Sequence, residues 1–147
     1  MSDLQAIADR FEIEALRGEF TDALMMRDFD RFASLFAEDG TWRIPYINAE
    51  FVSREEIRAG IERMQGLWEY FVQTVHPGLI QLEGDTAVGR AFVSEFGHMR
   101  NGRSELNYSV PRPLAAHRGR LQVRRARVRV LIYTATPLRW PGRRPTQ

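Results

Sequence analysis

In this 147-residue chain the side chains that titrate near neutral pH are three histidines, two of them in strand-like stretches: His76 in "TVHPG" and His98 in "EFGHMRNG". No HxH or HxxxH spacing joins the histidines, so they do not compose a zinc site, and no metal is assigned. Cysteine is absent, which removes thiolate nucleophiles and disulfides. Neither a GxxxxGK phosphate loop nor a GxGxxG fingerprint occurs, and no cofactor is expected. Imidazole and carboxylate groups can transfer protons. An imidazole takes a proton from carbon or oxygen most readily when a carboxylate fixes its other nitrogen. Asp28 precedes the apolar run "FDRFASLF", where aspartate ordinarily caps a helix. Asp22 and Asp30 lie close by as rival acids. His76 reads equally as a satisfied polar residue at a strand start. His98 shares a strand face with Phe96, Ser94 and Phe92, and also reads as an exposed histidine just before a turn.

The elements that must position these groups follow from periodicity. Leu4, Ile7, Phe11 and Ala15, then Phe20, Ala23 and Leu24, predict a helix over 4 to 27. A second short helix is expected from Asp28 or Asp30, burying Phe32, Leu35 and Phe36 and ending at Gly40. "TWRIPY" alternates, with Trp42, Ile44 and Tyr46 on one face of a strand. Ser53 and Glu56 form a capping box that opens a third helix through about Met64. From residue 72 the pattern is strand-like, with turns at Gly84-Asp85 and Asn101-Gly102. Helices first and a meander of strands afterwards make an α+β domain.

Three pieces in this order carry a resemblance: "FTDALMMRDFDRFASLFAEDGTW", "SREEIRAGI" and "FVQTVHPGLIQLEGDTAVGRAFVSEF". Together they resemble the SnoaL-like polyketide cyclase group, with the scytalone dehydratase branch, of the nuclear-transport-factor-2-like superfamily, over residues 4 to 110. The resemblance implies one domain over 1 to 147, a cone-shaped curved mixed sheet wrapped around N-terminal helices, as in cystatin-like α+β barrels. It implies an apolar pocket for an oxygenated small molecule and lyase, isomerase or cyclase chemistry without a cofactor. It implies a catalytic Asp28–His76 dyad, and a pocket lined by Trp42, Tyr46, Phe96 and His98, with Asn107 and Tyr108 near its mouth. A homodimer packed through the open sheet face is implied too. The alternative is a non-catalytic ligand-binding or dimerisation module of the same fold.

One stretch departs from this pattern. Residues 1 to 110 hold 11 Arg and all 19 acids, whereas residues 111 to 147 hold 10 Arg and no acid. A nucleic-acid arm would use such a composition. However, aromatic stacking platforms are not interleaved with the arginines, and the resemblance stops at Val110. Reading the codons of 111 to 131 one base out of register permits a His-Asp-Arg run where Pro111-Arg112-Pro113 stand, which resembles the family's usual continuation. A frame-shifted segment is therefore the preferred reading, with no nucleic-acid partner. "ARVRVLIY" at 126 to 133 still alternates as a strand, and 111 to 120 is expected to be irregular; 132 to 147 form a tail. The acids among the first twenty residues and the lack of a long apolar run point to a cytoplasmic protein without a membrane partner.

Overall fold

The structure, a computed structural model, describes residues 3–44, 47–84, 86–109 and 129–130. The elements are α1 (Asp3–Met25), α2 (Phe29–Ser34), β1 (Thr41–Ile44), β2 (Ala49–Val52), α3 (Arg54–Gly66), β3 (Trp68–His76), β4 (Ile80–Glu83), β5 (Thr86–Gly89), β6 (Phe92–Met99), β7 (Ser104–Ser109) and β8 (Arg129–Val130). N-terminal helices against curved, mainly antiparallel sheets make this the expected α+β fold.

The first helix buries Ile13, Leu16, Phe20, Ala23 and Leu24. Leu4, Ile7 and Phe11, expected on the same stripe, are exposed. The reason is angular: Phe11 and Phe20 are nine residues apart, two and a half turns, and so lie on opposite sides of the helix. In α2, Asp28 is the N-cap, accepting a bond from Arg31 N at 3.1 Å. That helix ends at Ser34, well before Gly40, because Leu35 N turns back to the Phe32 carbonyl at 3.3 Å. Phe32, Leu35 and Phe36 are buried as expected. The rings of Phe32 and Trp42 lie 5.4 Å apart and those of Trp42 and Phe51 5.5 Å apart, which ties α2 to β1 and β2 in one aromatic core. Each such ring contributes roughly 1.5–3 kcal/mol by burial.

Ser53 caps α3, accepting from Glu56 N at 3.3 Å. The Glu56 carboxylate reaches past Ser53 to Val52 N at 2.8 Å, one residue beyond the usual capping box. The turns expected at 84 and 102 are present, with Gly84 at φ 57 and Gly102 at φ 86, conformations natural to glycine.

The strands group as β1–β2, β3–β6–β7 and β4–β5–β8. The last contains the parallel pairing, Val88 with Arg129 and Gly89 with Val130. Of the strand expected over 126 to 133, these two residues are thus paired; the others, and the whole of 111 to 120, lie outside the described residues.

The β3–β6–β7 sheet positions everything of chemical interest. Its pairing sets Val75 against Val93, Gln73 against Glu95 and Phe71 against Gly97 on one face. Thr21 of α1 bonds to Gln73, so this face looks toward the helix. By alternation the other face carries Tyr70, Val72, Thr74 and His76 from β3 and Phe92, Ser94, Phe96 and His98 from β6. Tyr70, Phe96 and Leu106 are exposed there. This is the face through which the sequence reading expects two copies to pair.

Candidate active site

A chain of hydrogen bonds crosses from α1 to β6 on the helix-facing side of the sheet. Thr21 Oγ1 donates to Gln73 Oε1 at 2.8 Å, and Gln73 Nε2 donates to Glu95 Oε1 at 2.8 Å. Gln73 is only 5% exposed. An amide buried to that degree is costly unless both of its ends are bonded, and here both are. The direction of the chain follows from its end: a carboxylate only accepts, so the amide turns its NH₂ to Glu95 and its carbonyl to the threonine hydroxyl. The result is a half-buried carboxylate bonded to a buried amide, on the sheet face it shares with Phe71, Val93 and Gly97.

Local sequence explains those surroundings. A register shift between Trp68 and Tyr70 interrupts the alternation at the start of β3. Trp68 thereby lies over Gly97 on the helix-facing side: a Cβ at Gly97 would sit 2.8 Å from its ring and 2.5 Å from the Tyr70 carbonyl. The Trp68 and Phe71 rings are 5.3 Å apart. At the other end of the sheet, Arg17 is 5% exposed and donates to the Leu79 and Arg90 carbonyls at 2.9 and 3.0 Å. It fixes α1 against the loops that flank β4 and β5. A Cβ at Gly89 would fall 2.9 Å from its guanidinium, which is why the strand ends on a residue without one.

The structure gives Asp28 and His76 different partners. Asp28 caps α2 and lies 3.4 Å from Arg31 Nε, while His76 Nε2 is 3.1 Å from Ser94 Oγ; both residues are exposed. Their positions follow from how α1 runs along β3. Arg27 reaches the Trp68 carbonyl, Thr21 meets Gln73, and Arg17 reaches past the strand to Leu79. Helix and strand are therefore antiparallel. Asp28 stands where β3 begins and His76 where it ends, eight residues later, about 26 Å along an extended strand. Asp22, the rival acid, pairs with Arg31, and Asp30 pairs with Arg58. The hydrogen bond that Arg31 donates to Asp22, helped by the charge of Asp22, raises the pKa of the Arg31 guanidinium above its ordinary value.

The other expected pocket residues have the following surroundings. Trp42, expected to line a pocket, is packed into the aromatic core. Phe96 and His98, expected to line it too, are on the face turned away from α1, where His98 stacks on Tyr70 and bonds Ser104 through Nδ1 at 3.1 Å. Asn107 and Tyr108 stand opposite Glu95 and Ser94 in the β7 register. The side chains of these two residues, and all of Tyr46, lie outside the described residues. The sequence reading missed Thr21, Gln73 and Glu95. Their signal was the interleaved set Val93, Glu95, Gly97, an acid between a small and an apolar residue on the parity not chosen. Among the described residues no three His, Asp or Glu side chains converge.

The crystal structure of LinA superposes with a TM-score of 0.75 at 20% identity, over 99% of this chain and 100% of that one. A hexachlorocyclohexane dehydrochlorinase, LinA-type3 from Novosphingobium barchaimii LL02, gives 0.72 at 18% identity over 88% of each chain. A scytalone dehydratase-like protein from Novosphingobium aromaticivorans gives 0.69 at 17% identity, over 95% and 99%. At these identities the likeness shows the fold alone. No curated protein matches the chain. The model of the SnoaL-like domain matches residues 5–127, running into the arginine-rich stretch. With the fold and this match in agreement, the chain belongs to the SnoaL-like domain family.

Proposed function

We propose that the protein is a cofactor-free lyase or isomerase that abstracts a proton from an apolar, oxygenated small molecule lying between α1 and the helix-facing side of the β3–β6–β7 sheet. The observation that carries this reading is the Thr21–Gln73–Glu95 chain of bonds. Glu95 is the base, Gln73 fixes its carboxylate, and Thr21 fixes Gln73. Trp68 and Phe71 supply the apolar wall next to it. A positioned general base contributes about 10²–10⁴ in rate. Family membership supports the class of chemistry, since solved structures of like fold include a dehydrochlorinase and a scytalone dehydratase-like protein. The Asp28–His76 dyad implied by resemblance would require the two ends of β3 to meet, so the base is assigned to Glu95 instead.

The test is solvent deuterium exchange at the acidic carbon of apolar ketones, followed by NMR, together with chloride release from hexachlorocyclohexane. Glu95→Gln should lose about 10²-fold or more in exchange rate, while Asp28→Asn retains it. An unchanged rate in Glu95→Gln, with loss in both His76→Ala and Asp28→Asn, would return the dyad to first place.

A further inference from the structure

The opposite face of the same sheet carries a second arrangement that the proton-transfer reading does not use. His76 Nε2 and Ser94 Oγ are 3.1 Å apart, with His76 exposed and Ser94 half-buried. Thr74 is directly opposite Ser94 in the β3–β6 register, on the same face. Along β6 the next residue of this face is Phe96, 48% exposed, and across from it on β7 is Leu106, 51% exposed. A hydroxyl bonded to an imidazole, a second hydroxyl across the ladder and an apolar strip leading away from them thus share one face of the sheet.

We propose that Ser94 and His76 are a nucleophile and its base, and that this face hydrolyses short acyl esters of phenols. A serine hydroxyl is a weak nucleophile until an adjacent base accepts its proton. Here His76 Nε2 takes that proton as Ser94 Oγ bonds to the ester carbonyl carbon. Thr74, across the ladder from Ser94, supplies the hydroxyl that donates to the carbonyl oxygen as it becomes an oxyanion. The tetrahedral adduct collapses, the bond to the phenol oxygen breaks, and the phenol leaves with the proton from His76. Water then attacks the acyl-serine with His76 again as base, releasing the carboxylic acid and restoring Ser94. Two residues along a strand span roughly 7 Å, so an acyl chain of about four carbons laid from Ser94 toward Phe96 and Leu106 is covered. Among the described residues no carboxylate is bonded to His76. The imidazolium therefore lacks the third member that raises turnover in serine hydrolases, and good leaving groups are the substrates that react.

The experiment treats the full chain with p-nitrophenyl butyrate. A burst of p-nitrophenolate of about one equivalent per chain is expected, with one butyryl group found by peptide mass spectrometry on Ser94. Ser94→Ala should abolish the burst and the label. His76→Gln should slow acylation by about 10²-fold or more with Ser94 in place. Ser94→Cys, which keeps a nucleophile at the position, should still be labelled, and so controls for a folding defect in the alanine variant. An intact chain that takes no label, or a burst that survives Ser94→Ala, overturns the proposal; the second result would mean that an imidazole attacks the ester by itself.

Discussion

The most informative residue is Gln73, because it is buried yet carries no charge of its own. Replacing it by leucine keeps the volume but removes its bonds to Thr21 and Glu95, a loss of about 1–3 kcal/mol. Gln73→Leu should therefore lower stability by that amount in urea denaturation, while Gln73→Glu should cost more by setting a second carboxylate against Glu95. Asp28 offers the contrasting case. As an N-cap, its replacement by alanine should cost about 1 kcal/mol and leave proton-exchange rates intact. A catalytic Asp28 would show the reverse pattern, lost exchange with unaltered stability. Measuring both quantities on one variant separates the roles.

At the scale of elements, β6 depends on a glycine for its approach to β3. A Cβ at Gly97 would press on the Tyr70 carbonyl, which belongs to the paired strand and cannot rotate away, as well as on Trp68. Gly97→Ala should lower stability by about 1–3 kcal/mol, the usual cost of forcing extra volume into a packed site, and quench or shift Trp68 fluorescence as the ring moves. Gly60 of α3 is a milder test of the same effect, since its virtual Cβ meets the Phe51 ring at 2.4 Å rather than backbone. Alanine there gains about 1 kcal/mol of helix propensity. The net result for Gly60→Ala should still be destabilising, because Phe51 is hemmed in by Trp42 and has little room to move. Equal or greater thermal stability would show that the ring rotates aside.

For the whole molecule, one aromatic cluster joins the helices to the β1–β2 hairpin, so removing its centre should unfold the domain as a unit. Phe32 is fully buried and touches Phe20, Phe36 and Trp42. Phe32→Ala should cost about 3–5 kcal/mol, seen as a single cooperative transition at lower denaturant; a shift confined to helix signals would contradict the shared core. How far all this was legible differs by level. The amino-acid sequence by itself determined the three helices, the Ser53 cap, the glycine turns and the burial of Phe32, Leu35 and Phe36, because those depend on neighbours within a few residues; it left the cap of α2 open between Asp28 and Asp30 and did not show β2. It did not determine which side of α1 is buried in its first turns, nor which parity of β6 faces the helix. Phe92, Ser94, Phe96 and His98 look as fit for an interior as Val93, Glu95 and Gly97, since each set mixes apolar and polar groups. Only the packing of α1, through Thr21 onto Gln73 and Arg17 onto the Leu79 and Arg90 carbonyls, decided between them. A strand's two faces are equivalent until something covers one of them, and what covers this one comes from more than fifty residues away in the chain.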